Sequence, residues 1–371
     1  MKRNSVRKGF FMGRLTRFRE KMKLFGADAA LISSNVNIRY LSGLDYTDGY
    51  VLITARKAYL LADFRYIEAA KERVPKDEFE IIMPDTSMSV CLASLLDENE
   101  ARSVAFEDKT LSFSDFERFK RMFGDKELIP GASEMADELR LYKDESEFEA
   151  IIKAQSITDA AYKHILEVLT PDMTEIDAAL ELEFYMRKHG SEGTAFETIA
   201  VSGTASSRPH GVPRNVRLEK GFFTMDFGAK VDGYCSDMTR TVVLGKADAE
   251  MKRLYRTVLE AQLAALDFIR EGICCRDADL VARNIIDNAG YRGCFGHSLG
   301  HGVGMYIHES PSFARRVPEN IRLERGNVVT VEPGIYIEGR YGCRIEDMIG
   351  VKPDGSIFNF THSPKELTEL F

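Results

Sequence analysis

The stretch FFTMDFGAKVDGYCSDMTRTVVLG, residues 222–245, decides how this chain is read. Its ends are apolar and β-branched and its middle carries Val231-Asp232-Gly233, the pattern of two strands joined by a turn. Two carboxylates, Asp226 and Asp237, flank that turn. With Val231 and Asp232 as a two-residue turn, Asp226 sits directly opposite Asp237, and opposed side chains in an antiparallel pair lie roughly 5 Å apart. Carboxylates that close repel each other unless protons or metal ions intervene.

A second ribbon repeats the oddity. In NVVTVEPGIYIEGRYGCRIEDMIGVKP, residues 327–353, Glu332 precedes Pro333-Gly334 and Glu346 lies in RIED, each beside apolar strand residues. Burying a carboxylate in such a run is expensive unless it is paired or binds a cation. Between the ribbons, HSLGHGVGMYIH (297–308) holds three of the seven histidines, His297, His301 and His308. Gly300, Gly302 and Gly304 remove side-chain bulk there and let a backbone approach a ligand closely. His210, in RPHGVP, adds a fourth histidine in a proline-bounded loop, whereas His164, His189 and His362 read as ordinary surface residues. Four carboxylates and one imidazole form an oxygen-rich set that suits two divalent ions, Mn, Fe, Co or Zn, better than a lone structural zinc. Two such ions roughly 3.5 to 4 Å apart activate a shared water and stabilise the oxyanion formed when it attacks a carbonyl.

Outward from the ribbons, each is preceded by a pair of segments with helical spacing: 144–169 and 174–189 before the first, 248–271 and 276–289 before the second. The second half of the chain therefore reads as an α+β domain of antiparallel ribbons backed by helices, and its repeated plan hints at an internal duplication. The first half has a different texture. Short apolar runs at 27–32, 49–54, 57–63, 79–84 and 103–106 read as strands, with helices at 65–74 and 112–123, which makes an α/β domain.

At 371 residues the chain is too long for one ordinary core, in keeping with two domains. A net charge of −8 without a local basic patch argues against a nucleic-acid partner. No apolar run approaches the roughly 20 residues of a membrane span. The basic start MKRNSVRKGFF lacks the apolar segment of a signal peptide and reads as an untargeted extension, with Met12 as a candidate natural start. Six scattered cysteines show neither zinc spacing nor a disulfide framework, and they read as reduced thiols in a cytoplasmic protein.

At these residues the sequence closely resembles the pita-bread metallopeptidases, which include methionine aminopeptidase, Xaa-Pro aminopeptidase and prolidase. The resemblance is carried, in family order, by SGTASSRPHG, MDFGAKVDGYCSDMTRT, HSLGHGVGMYIHE, VVTVEPGIY and GCRIED. It implies that Asp226, Asp237, His301, Glu332 and Glu346 bind two divalent ions, manganese first and Co, Zn or Fe as alternatives, with Asp237 and Glu346 shared by both. It makes Glu332 also the proton shuttle, and sets His210 and His308 on the substrate carbonyl and tetrahedral intermediate. Asp63-Phe64-Arg65-Tyr66 matches the DxRY motif of the N-terminal domain found in proline-specific members. His297, Tyr336 and Arg344 match that branch too, Arg344 steadying Glu346 and Tyr336 the surrounding network.

The resemblance thus implies a creatinase/prolidase-type α/β domain at 12–135 and a pita-bread catalytic domain at 140–371. Proline-containing peptides are the implied substrates and a homodimer the implied assembly. Many prolidases carry an arginine four residues after the histidine matching His308, where it meets a dipeptide's free carboxylate; here the residue is Ser312. That departure favours an Xaa-Pro aminopeptidase over an Xaa-Pro dipeptidase. Creatinase works on the same fold without metal, and other relatives only bind proteins, but those relatives lack some of the five ligands.

Overall fold

The computed structural model describes residues 13–46 and 48–371, and the extension before Gly13, with Met12, lies outside the described residues. The chain divides into two compact units, one ending at Arg140 and one running from Leu141 to Phe371.

In the first unit the described strands are β1 (Ala29–Ile32), β2 (Gly49–Thr54), β3 (Ala58–Ala62), β4 (Glu80–Ile82), β5 (Ser103–Phe106) and β6 (Glu127–Pro130). They form one mixed sheet in the order β4-β3-β2-β1-β5-β6. The buried strands β1, β2 and β3 are near-continuous apolar runs, which is why they were legible. Six helices accompany the sheet among the described residues: α1 (Arg14–Leu24), α2 (Asn35–Ser42), α3 (Ile67–Arg73), α4 (Met88–Glu98), α5 (Phe113–Met122) and α6 (Ala132–Leu141). Serines at 34, 87 and 112 cap α2, α4 and α5 by accepting a backbone N–H three residues on, a contact worth about 1 kcal/mol each.

The second unit is built twice on one plan. Helices α7 (Glu145–Val168) and α8 (Glu175–Lys188) precede the first set of strands, and α9 (Ala249–Phe268) and α10 (Cys275–Ile286) precede the second. Capping boxes start α7 and α8, through Asp144 with Glu147 and Thr174 with Asp177. The residue just before the second helix makes an isolated β-bridge in each half, Thr174 with Arg217 and Cys274 with Arg322. The first half contributes β7 (Ile199–Ser202), a 3₁₀ turn at Gly203–Ser207, β8 (Gly221–Phe227), β9 (Lys230–Val231), β10 (Tyr234–Cys235) and β11 (Met238–Leu244). The second contributes β12 (Gly300–Gly302), β13 (Glu309–Phe313), β14 (Val328–Val331), β15 (Gly334–Ile337), β16 (Tyr341–Arg344), β17 (Asp347–Val351) and β18 (Ile357–Asn359), and β19 (Glu369–Leu370) returns to pair with β11. Each half has its own apolar cluster, centred on Tyr162, Leu182, Met225 and Val242 in one, and on Leu254, Ala282, Val329 and Ile349 in the other.

Both ribbons keep a single register across a break in their ladder. In the first, Phe227 faces Met238 and, beyond the break, Val231 faces Tyr234. In the second, Val331 faces Asp347 and Gly334 faces Arg344. The first break is a pinch at Gly228, where a Cβ would come 1.9 Å from the Ser236 carbonyl oxygen. The second falls at Pro333, which has no N–H to give the ladder.

Candidate functional site

The acidic residues sit at these two breaks. The turn of the first ribbon is Asp232-Gly233, with φ of 50° and 87°, not Val231-Asp232. Positive φ at both central positions defines the hairpin turn that suits strand twist, and Asp-Gly adopts it where a β-branched valine does not. The expected pairing shifts accordingly: Asp226 faces Thr239, and Asp237 lies two residues before Thr239 on the same face. The two aspartates are thus diagonal rather than directly opposed neighbours, still within reach of each other. In the second ribbon the register carries Glu332 across from Glu346.

His301 enters on β12, between β13 and β14. The flanking glycines serve packing between strands and not approach to a ligand. A Cβ at Gly300 would lie 1.9 Å from the Thr330 carbonyl oxygen, and one at Gly302 would lie 2.4 Å from that of Ser310. His301 Nδ1 is 3.1 Å from the Gly302 carbonyl oxygen, so Nδ1 carries the proton and Nε2 is left with its lone pair. That Nε2 lies 3.5 Å from Asp237 Oδ2 and 3.4 Å from Glu332 Oε1. Ligand atoms of Asp237, His301 and Glu346 all fall within 4.8 Å of one another, a spacing fit to hold a metal ion.

The electrostatics are those of a site built around cations. Burial pushes the Asp237 carboxyl well above its usual range, and the charges of Glu346, Asp226 and Glu332 add to the effect. Glu346 is raised for the same reasons, burial first and then Glu332 and Asp226. Burial carries Glu332 up to about 8 although Arg344 pulls it down. Asp226 Oδ1 is buried with no hydrogen-bond partner. Buried, mutually repelling carboxylates with an orphaned oxygen are unfavourable as they stand and fit divalent cations well. The described donor set therefore fits divalent metal, with Asp226, Asp237, His301, Glu332 and Glu346 as the residues that would hold it.

All five of these residues line one cavity of about 570 Å³, together with His210, His297, His308, Arg344 and Ser312. Phe196, Ile199, Val212 and Ile307 supply apolar wall, and Glu197 and Glu309 add two further carboxylates. The His308 ring meets His301 edge-on, with centroids 4.4 Å apart. Tyr336 stands behind the wall and links two members of the site: its hydroxyl is 3.0 Å from His297 Nε2 and accepts from Arg344 Nη1 at 2.7 Å. His297 Nδ1 is 2.8 Å from the Ser298 carbonyl oxygen, and burial, helped by Arg344, lowers its pKa to about 3. His297 is thus neutral, Nδ1–H donating to the carbonyl and Nε2 accepting from the tyrosine hydroxyl. His301 is likewise lowered, to about 4, mainly by burial.

Arg344 departs from its expected contact. Its Nη2 bonds Asp226 Oδ2 at 2.6 Å, and it reaches Glu346 only through Thr239. The Thr239 hydroxyl accepts from Arg344 Nε at 2.9 Å and donates to Glu346 Oε2 at 2.7 Å. Thr239 was missed from sequence, although it shares the face of Asp237 by strand alternation. Thr330, which donates to Glu332 Oε1 at 3.2 Å and accepts from His301 N at 3.1 Å, was missed likewise. Outside the site, His164 lies 2.6 Å from Glu181 and stacks on Tyr185, which also stacks on His189, and the His362 backbone bonds Asp159. All six cysteines are free. No helix of the described residues is long and apolar enough to cross a membrane.

Comparison with known proteins agrees with this geometry. An uncharacterized peptidase of Bacillus subtilis is 40% identical over 96% of this chain and 100% of its own length. A Bacillus anthracis structure named an Xaa-Pro dipeptidase is 40% identical, with 97% of this chain and 99% of that one covered at a TM-score of 0.92. A Thermotoga maritima structure named an X-Pro aminopeptidase is 34% identical, covering 95% and 100% of the two chains at 0.87. Residues 14–142 match the creatinase/prolidase N-terminal domain. Residues 149–353, which hold every donor described above, match the metallopeptidase family M24, and the chain belongs to that family.

Proposed function

We propose that the chain is a dinuclear Xaa-Pro aminopeptidase, cleaving the N-terminal residue from peptides with proline in second place. The observation that carries this reading is the convergence of five metal donors with His210, His297, His308 and Arg344 on one cavity. Two divalent ions, manganese first, supply an activated water and Lewis-acid stabilisation of the developing oxyanion when bound. Asp226, Asp237, His301, Glu332 and Glu346 would hold them, with Asp237 and Glu346 serving as the ligands common to both. Glu332 takes the proton of the attacking water and passes it to the proline nitrogen as the peptide bond breaks. His210 and His308 donate to the substrate carbonyl and to the tetrahedral oxyanion. Tyr336 and Arg344 hold His297 and Asp226 in place. We place the enzyme in the cytoplasm as a homodimer, with its two domains at 12–135 and 140–371.

The lining supports longer peptides over dipeptides. Arg344 is the cation among the described lining residues and is bonded to Asp226, and Ser312 brings no charge. A dipeptide's terminal carboxylate meets Glu197 there without a free cation as partner, and a third residue carries that charge away. The second reading, an Xaa-Pro dipeptidase, is favoured by the Bacillus anthracis relative of that name. Comparing kcat/KM for Ala-Pro and Ala-Pro-Ala with manganese present decides between them: cleavage confined to the dipeptide removes the aminopeptidase reading.

A further inference from the structure

We infer that Lys143 and Glu309 form a buried positioning pair that sets His308 for turnover, an inference resting on the reading of His308 as a substrate-facing donor. Lys143 Nζ lies 2.9 Å from Glu309 Oε2, and the two side chains are 1% and 6% exposed. Burying two charges costs roughly what their attraction returns, so such a pair points to a requirement other than bulk stability. The requirement is visible in what Glu309 touches.

Residues 303–308 form the loop between β12 and β13, and Glu309 is the first residue after it, facing Gly302 across the ladder. The Glu309 carboxylate folds back beneath its own loop. Oε1 accepts from Tyr306 N at 3.1 Å while Oε2 takes the lysine. At the loop's other end, Gly304 packs so tightly that a Cβ there would sit 2.4 Å from Glu309 Oε2. Gly304 N donates to the Tyr306 carbonyl at 3.0 Å, and Cys235 N donates to the Gly304 carbonyl at 2.8 Å. The carboxylate is therefore the peg around which the loop carrying Ile307 and His308 is wound. Lys143 holds the peg from a fixed position: its own N–H donates to the Gly326 carbonyl at 2.8 Å, and the next residue, Asp144, caps α7.

Glu309 also lines the cavity that holds the four metal-binding carboxylates. Without the ammonium group the Glu309 charge is buried with its ion pair broken, a costly state that is relieved by rotating the side chain toward the water of the cavity. Tyr306 N then loses its acceptor and the loop its peg. His308, the last residue of that loop, loses its fixed direction, while Asp226, Asp237, Glu332 and Glu346 lie on other segments and His301 is held in β12 by Thr330 and the Gly302 carbonyl.

The test is a double-mutant cycle on the full-length, manganese-loaded enzyme with an Ala-Pro-Ala peptide, reading kcat, KM and bound metal. Losing one transition-state donor typically lowers kcat about 10²- to 10³-fold, so misdirecting His308 through Lys143→Met is expected to cost about 10- to 100-fold. KM and metal content stay unchanged, Lys143→Arg restores most of the turnover, and Lys143→Met adds nothing once His308→Ala is present. Should Lys143→Met fail to fold, Glu309→Gln, whose single carboxamide oxygen cannot accept from both Tyr306 N and Lys143 Nζ, is taken through the same cycle with the same loss expected. Losses that multiply in the double variant, or wild-type kcat in Lys143→Met, overturn the pair's role. Wild-type kcat in His308→Ala instead overturns the reading of His308, so the two failures are distinct.

Discussion

Glu107 in the first unit and Glu346 in the second are both carboxylates with almost no exposure, 0% and 1%, and they are held in opposite ways. Glu107 is saturated with donors. Its Oε2 accepts from Ser33 N, Ser33 Oγ and Ser34 N at 2.5, 3.1 and 2.6 Å, and its Oε1 from Ser34 Oγ at 2.9 Å and Asn37 Nδ2 at 2.5 Å. Glu346 accepts from Thr239 and is pushed up by burial and by two neighbouring carboxylates. Water lost on burial is replaced by donors in the first case and by further acids in the second. A buried acid with its lone pairs filled is a structural staple, here fastening the start of α2; buried acids left short of donors form a cation receptor.

The widest gap between the two is expected on removing a shared ligand. Asp237→Ala should lose both metal and activity, the latter by orders of magnitude, because that carboxylate is assigned to both ions. Elemental analysis after manganese loading checks it, and equal metal in variant and wild type removes Asp237 from the site. His308→Ala and His210→Ala come next, each expected to keep full metal content and lose about 10² to 10³ in kcat. A variant with unchanged kcat takes its histidine out of the mechanism. Glu107→Ala should be silent in metal content and loud in stability. Two backbone N–H groups, one buried at Ser34 and one half-buried at Ser33, lose their acceptor at about 1 to 3 kcal/mol each, so denaturant unfolding of the first unit is expected to fall by about 3 kcal/mol. Normal stability in that variant would show that Glu107 is not the staple described.

Metal addition sharpens the contrast on a smaller scale. At about 100 times Kd, a ligand binding only the folded state stabilises it by about 2.7 kcal/mol. For a unit of this size the melting temperature is then expected to rise by about 5 to 10 °C. Glu107→Ala should keep that rise and Asp237→Ala should lack it.

How much of this was legible in the sequence follows the same division. The acids of the site were readable because they interrupt apolar strands, where a charge is conspicuous, and the three histidines because they crowd one short segment. The staple was not, since Glu107 follows the strand SVAF and its donors sit on Ser33, Ser34 and Asn37, far away in the chain. Helix α2, which it fastens, is eight residues long and rich in asparagine, so neither length nor propensity marks it. The turn was misplaced by one residue, which moves every cross-strand partner by two, because Val231-Asp232 and Asp232-Gly233 both read as two-residue turns until the positive φ of the second is weighed. Contacts such as Arg344 with Asp226, or Lys143 with Glu309, join residues far apart in sequence, and alternation along a strand gives the face of a side chain without its partner.

The smallest expected effect concerns substrate length, where the cavity's excess of acid acts on the substrate itself. Six lining residues carry carboxyl groups, Asp226, Asp237, Glu197, Glu309, Glu332 and Glu346, against the guanidinium of Arg344. Four of the six are assigned to the metal ions and Glu309 is paired with Lys143, so Glu197 and the bonded Arg344 set what a free terminal carboxylate meets. Ser312 lies on β13, three residues beyond Glu309 and half-buried in the wall. Ser312→Arg places a guanidinium there, and a hydrogen bond to a charged group contributes about 1.5 to 3 kcal/mol. Partial exposure and the neighbouring acids reduce this, so the kcat/KM ratio of Ala-Pro to Ala-Pro-Ala is expected to rise about tenfold, near 1.4 kcal/mol. Because the gain is electrostatic at a partly wetted wall, it should shrink as salt is raised from low to physiological strength. An unchanged ratio means that the dipeptide's carboxylate lies elsewhere in the cavity, and a tenfold rise that persists in high salt means that the introduced side chain acts by shape and not by charge.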